Sequence, residues 1–377
     1  MNKLKNLSVL ALAALLAACG GGESYVEAQA PAQAQPSNST ARALAVSTSG
    51  RTLVFTYAVP VNAKIVVGPA AGQVQVFGLP DVADGTTYNN INAIDWRSGA
   101  ADDAVAFEVT QAAEFDVRVD TGAGQSQVDV KWIIPAGAPS GTTPSVHIAA
   151  ATGLKKIQVQ LENFAASTNF AWTQVLGDGD AEVKGEMQFK QGSQQARGLM
   201  DLRFGNGLSK AELTVDNESQ NLAMVIRPRN VMFLSTKILS DDPANSTSVD
   251  FDPVGVATGS NMNFEMVSAA QNVRLGGTLT GGAGMNELLY NFTALTAANV
   301  NANVSAITGA GNDKINLAFK GLPATRIALA GNVSAGAGDD EALLLTEGIT
   351  TGTIGLDCGP GIDKAIGFTR TLGCELN

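Results

Sequence analysis

Histidine is almost missing from this chain: there is one, His147, in 377 residues, beside only three cysteines. A metal cage of imidazoles and thiolates is therefore out of reach. Charge is sparse at 16%, and its positive part is the smaller, with 24 Lys plus Arg against 35 Asp plus Glu. A net charge of −11 repels a phosphate polymer, so nucleic acid is excluded as a partner. Aromatic residues make up only 6%, whereas glycine contributes 41 residues. Few rings and many glycines favour short strands and tight turns over a helix bundle. What is plentiful is apolar. At 45% hydrophobic the chain can bury a core and is no disordered polyelectrolyte.

The leader is easier to read than the body. Met1-Asn2-Lys3-Leu4-Lys5 precedes an apolar run from Leu7 to Ala18, which ends at Cys19. A basic start, an apolar stretch of about a dozen residues and a small-residue cleavage site describe a secretory signal peptide. The run is short for a membrane span. Leu16-Ala17-Ala18-Cys19 resembles a bacterial lipobox. That resemblance implies cleavage before Cys19 and acylation of its sulfur and new amine. Three acyl chains exceed the two signals that stable anchoring takes. Gly20 follows the cysteine instead of aspartate, which in lipoproteins of double-membraned bacteria implies the outer membrane. Whether the body faces the periplasm or the exterior stays open, and an ordinary signal peptide containing a cysteine is the alternative. Residues 20–44 are rich in Gly, Ala, Gln, Pro and Ser and read as a flexible tether. The expected organisation is a signal peptide over 1–18, a lipidated tether over 19–44, a repetitive body over 45–355 and a closing coil over 356–377.

The body repeats a glycine-rich turn followed by an alternating strand. Gly282-Ala283-Gly284, Gly309-Ala310-Gly311, Gly336-Ala337-Gly338 and Gly359-Pro360-Gly361 each open such a unit, and weaker copies start at Gly122, Gly177 and Gly205. No glycine marks the start expected near residue 230. A period in the mid-twenties predicts an all-β fold, a right-handed parallel β-helix of coils ~23–30 residues long. About three short strands per coil and about twelve coils would fit. Asn, Ser and Thr can stack at the bends. A pair of antiparallel β-sandwiches is the alternative, since their turns would look similar.

The chain closes with Asp357-Cys358-Gly359-Pro360-Gly361-Ile362-Asp363 and Gly373-Cys374-Glu375. This ending resembles that of exported bacterial repeat proteins of the haemolysin-type calcium-binding (RTX-like) group. The resemblance implies a disulfide between Cys358 and Cys374 that pins the last coil in an oxidising compartment. A redox-active pair is disfavoured, because there is no Cys-x-x-Cys spacing. It also implies calcium as a cofactor. Asp313, Asp340 and Asp363 stand at the aspartate position of the family's Gly-x-Gly-x-Asp motif, while Asn286 replaces it in the fourth copy. The first glycine of the motif is missing in all three aspartate copies, and the repeats recur once per coil rather than every nine residues. Solvated corner carboxylates are the plainer reading.

No catalytic residue emerges. The pairs Asp102-Asp103, Asp241-Asp242 and Asp339-Asp340 place neighbours on opposite faces of a strand and form no dyad. His147 has no acidic neighbour in sequence, and neither a Gly-x-Ser-x-Gly elbow nor a Walker loop occurs. Trp96, Trp132 and Trp172 lie about one and a half coils apart, so core positions compete with an outward sugar-stacking strip. The resulting expectation is an outer-membrane-anchored structural or adhesive scaffold. Its partners are the membrane, through Cys19, and a polysaccharide or another envelope or surface macromolecule. A polysaccharide lyase or hydrolase on a β-helix and a calcium-stabilised RTX-like scaffold are the alternatives. A groove with three or more convergent Asp, Lys or Arg would favour the enzyme, and an even Asn/Thr/Ser surface the scaffold.

Overall fold

A computed structural model describes residues 45–375, except 69, 111–113, 140–142, 191 and 241–243. Strands dominate it, and two sheets of 17 and 14 strands, here sheet 1 and sheet 2, face each other across one core. The chain alternates between them, so each strand pairs in parallel with its counterpart one coil away. Ser126–Ile134, Lys155–Asn163 and Ala181–Phe189 stack this way in sheet 2 without a register break. Their inward residues form columns: Val128 meets Ile157 and then Val183, and Trp132 meets Leu161 and then Met187. The alternation is what a sheet with one wet face requires.

The fold is thus a parallel β-solenoid, and the sandwich alternative fails on strand direction. The coils differ from expectation in shape. The central coils hold two long strands instead of three short ones, and about 10 turns of about 27 residues complete the body rather than twelve. Strand length is the reason. Lys155–Asn163, Ser167–Leu176 and Ala181–Phe189 run 9, 10 and 9 residues, so two strands and two corners use up the period.

Antiparallel pairing occurs at the N-terminal end of the described chain. Ala45–Ser49 folds back on Thr52–Tyr57, and Val74–Phe77 lies between Asn62–Val67 and Thr86–Tyr88. Among the described residues no coil precedes the first, and these hairpins pair strands that would otherwise be an edge able to template association.

Corners follow two designs. On one side, side chains do the turning: the Asn163 amide bonds the Ala165 backbone and Thr168 Oγ1, and Asn217 Nδ2 donates to Ser240 Oγ one coil on at 3.0 Å. On the other side glycine does it. A Cβ on Gly338, which has φ +139, would stand 2.1 Å from the Gly311 carbonyl oxygen of the coil before. The corner near residue 230, where glycine is missing, is turned by Asn230 at φ 59. Asparagine tolerates that left-handed backbone, and its Nδ2 also donates to Phe204 O and Gly205 O.

Candidate functional site

A buried column of mostly polar residues runs along the glycine corners, broken by Ala181 and Met232. It includes Asp103, Ser126, Lys155, Ser209, Ser260, Asn286, Asp313, Asp340 and Asp363, all buried. In its C-terminal part each side chain reaches back one coil. Asp313 Oδ1 accepts the Asn286 N–H at 2.7 Å, Asp340 Oδ1 the Asp313 N–H at 2.7 Å, and Asp363 Oδ1 the Asp340 N–H at 2.9 Å. Glu375 closes the series by accepting the Asp363 N–H. The three aspartates therefore do align across coils, but inside the corner. They are not the solvated carboxylates of the plainer reading: their exposures are 2%, 4% and 0%. The exposed partner in the Asp339-Asp340 pair is Asp339, which bonds the Ile362 N–H of the next coil.

What the corner accepts is visible in two copies that lack aspartate. Asn286 Nδ2 donates to Gly282 O at 2.9 Å, Gly284 O at 2.6 Å and Asp313 Oδ1 at 2.9 Å. Lys155 sends its ammonium to Gly122 O at 3.1 Å and Gly124 O at 2.5 Å in the preceding coil. Burial lowers the Lys155 pKa, against the attraction of Asp103, Asp120 and Asp102. The Gly-x-Gly carbonyls thus take a donor or a cation. In Asp313, Asp340 and Asp363 the Oδ2 atom is buried and has no hydrogen-bond partner. Burial above all, with the like charges of Asp313, Asp363 and Asp339, pushes Asp340 up to about 6, against the bond from the Asp313 N–H. These oxygens form a donor set of the kind calcium takes, carboxylate plus backbone carbonyl. Among the described residues, no group of three or more His, Cys, Asp or Glu converges as a metal cage.

Cys358 and Cys374 form the disulfide that the C-terminal ending implied, with Cα atoms 5.2 Å apart. Cys358 is buried and packs into the end of the core. Cys19 lies outside the described residues, as do Asp241 and Asp242.

The remaining candidates resolve into structure. All three tryptophans are 0% exposed, which removes the outward sugar strip. Each occupies an inward strand position, and Trp172 finds room because Gly185 faces it, where a Cβ would meet the ring at 2.7 Å. His147 does have an acidic neighbour, supplied by the previous coil: Asp116 aligns with Ser145 and accepts its hydroxyl. The histidine itself bonds Thr173 Oγ1 through Nδ1, and burial lowers its pKa, Arg118 adding to the effect and Asp116 opposing it. The Ser145 hydroxyl thus bonds a carboxylate directly while the imidazole Nδ1 bonds Thr173, so the trio is not arranged as a nucleophile and its base.

The outer face of sheet 1 carries the feature that sequence reading missed. A trough of about 440 Å³ crosses five coils there. Two rows of outward side chains run through it, and both begin before it: Arg197, Asn221 and Ala223 lie in the coils ahead of the trough. One runs Asn221, Ser246, Asn272, Asn299 and Arg326; the other runs Arg197, Ala223, Ser248, Arg274, Asn301, Ala328 and Thr351. Neither row contains a carboxylate. The asparagines were visible in the sequence, but only coil register lines them up.

No protein-family model, curated protein or solved structure matches this chain.

Proposed function

We propose that this protein is a lipid-anchored scaffold of the outer membrane, which holds another envelope or surface macromolecule against sheet 1. One observation carries the reading: the trough is lined mainly by Asn, Ser and Thr, with two arginines, Arg274 and Arg326, and the small apolar Val273, Val300 and Ala328 between them. Amides and hydroxyls in fixed rows at the strand spacing suit an extended polar polymer. The lyase or hydrolase alternative needs an acid or base beside the ligand, and the trough lining supplies no carboxylate and no histidine. The lipobox resemblance at Cys19 and the absence of aspartate at Gly20 support the anchor and its membrane.

The test is retention of polysaccharide extracted from the cell envelope by full-length protein in detergent. Ser248→Trp, which fills the trough from an outward position, should abolish retention and leave the melting temperature unchanged. Retention equal to wild type removes the trough from the function. Progressive loss of polymer length during incubation would transfer the reading to the enzyme alternative.

Calcium is the second reading, favoured by the three unpartnered Oδ2 atoms beside corners whose carbonyls elsewhere accept an amide or an ammonium. Asp313, Asp340 and Asp363 would hold it, and its charge would offset their mutual repulsion. Binding to the folded form raises the melting temperature by mass action. Wild type should therefore melt higher in millimolar calcium than in chelator, and Asp313→Ala/Asp340→Ala should show no shift. A flat wild-type response removes calcium.

A further inference from the structure

The two sheets divide the charged residue types between them. Every arginine within a strand lies in sheet 1, and every strand lysine and glutamate lies in sheet 2. On sheet 2 the two signs neutralise each other across coils, as in Lys64–Glu108 at 2.8 Å, Lys131–Glu162 at 3.5 Å and Lys364–Glu341 at 3.0 Å. Such exposed pairs make an ordinary solvated face.

Sheet 1 splits its arginines in two. Arg97, Arg118, Arg203, Arg227 and Arg229 each pair with an aspartate. Arg197, Arg274 and Arg326 pair with no carboxylate among the described residues; Arg274 and Arg326 line the trough, and Arg197 continues the Arg274 row beyond its end. A protein with a net charge of −11 thus keeps a strip with positive charge only, aligned along the solenoid axis. Coils stack about 4.8 Å apart. Arg197 and Arg274 are three coils apart, about 14 Å along the axis, and Arg274 and Arg326 two coils, about 10 Å.

We propose that this strip binds an acidic polysaccharide, a linear glycan bearing carboxylate or sulfate groups. The inference rests on the scaffold reading above and names the ligand class of that site. Guanidinium is the cation whose fork fits a carboxylate or sulfate through two N–H donors, which lysine cannot match. Widely spaced arginines on two adjacent rows along the axis suit a polymer with one charge every sugar or two. Asn272, Asn299 and Asn301 between them can bond hydroxyl groups. A nucleic acid carries its charge too densely for three cations on an acidic body to neutralise. No aromatic side chain lines the trough to stack a neutral sugar, so the guanidinium contacts must supply the selectivity.

The experiment uses the full-length protein in detergent on a biosensor, with polygalacturonate, dextran sulfate and neutral dextran of matched length as probes. An acidic polymer should bind, dextran should not, and binding should weaken as salt rises. Arg197→Gln/Arg274→Gln/Arg326→Gln should lose about tenfold in affinity, while Lys131→Gln/Lys237→Gln/Lys314→Gln on sheet 2, with the same change in charge, should keep it. The corresponding triple Arg→Lys variant separates fork from charge and should fall between. Equal losses in the two glutamine variants would overturn the strip as the site. Retention of envelope polysaccharide with no binding of either acidic probe would overturn the acidic ligand and leave the scaffold standing. Loss of both overturns both. Binding of phosphatidylglycerol vesicles in place of the polymers, abolished in the arginine variant, would make the ligand a lipid surface and overturn the glycan.

Discussion

Asn286 and Asp313 occupy the same place in successive coils and differ by one group, an amide nitrogen against an oxygen. The nitrogen satisfies two glycine carbonyls, and the corresponding oxygen of Asp313 is left without a partner. At Asp340 burial, with the like charges of Asp313 and Asp363 in the coils on either side, moves the pKa from 3.8 to about 6. The pH consequence has a definite sign. Below pH 3.8 the group is protonated whether folded or unfolded, and above about 6 it is ionised in both. Between these limits the unfolded chain releases its proton first, so stability falls as pH rises through that window. Asp340→Asn keeps the acceptor for the Asp313 N–H and adds the donor seen in Asn286. In chelator it should flatten the slope and stabilise the C-terminal coils at pH 7 by about 1–2 kcal/mol. Thermal melts from pH 4 to 7 measure this, and identical slopes in wild type and variant would exclude Asp340 as the titrating group.

At the scale of the element, the last coil is where the solenoid has least help. Its strands Lys364–Ile366 and Thr371–Leu372 have 3 and 2 residues, and side chains such as Ile362 and Leu372 are exposed. The Cys358–Cys374 bond closes a 16-residue separation across this end. Closing a loop of that size contributes about 3 kcal/mol in the chain-entropy model. Cys358→Ser/Cys374→Ser should remove amide-exchange protection from residues 364–372 and leave the middle coils protected, because solenoid stability is nearly a sum of local terms. If protection is lost evenly along the body, the cap instead holds the whole stack. The bond was legible from the paired cysteines and the ending around them. The aspartate column was half legible: the spacing put the residues in one row, yet strand alternation did not show that the corner turns them inward.

For the molecule as a whole, the proposed anchor and the proposed face work together only if the tether holds the body at the membrane. Cys19→Ser should move the protein from the membrane fraction to the soluble one and lower its mass by the acyl chains. A variant that stays in the detergent phase at unchanged mass would remove the lipobox from the account. The body should remain folded in either fraction, since the described residues carry their own core.

The sequence by itself determined the all-β character, the coil period and the disulfide. Each depends on local chemistry: alternation along a strand, glycine at a crowded corner, two cysteines near one end. Tertiary structure alone decided how many strands fill a coil, that Lys155 serves the corner of the preceding coil, and that three arginines share one strip of sheet 1. The reason is unequal coil length. Asp102 and the Gln125 it bonds are 23 residues apart, whereas Ser126 and Lys155, one coil apart, are separated by 29. Fixed offsets along such a chain lose the row within a few coils, and only the hydrogen-bonded register restores it.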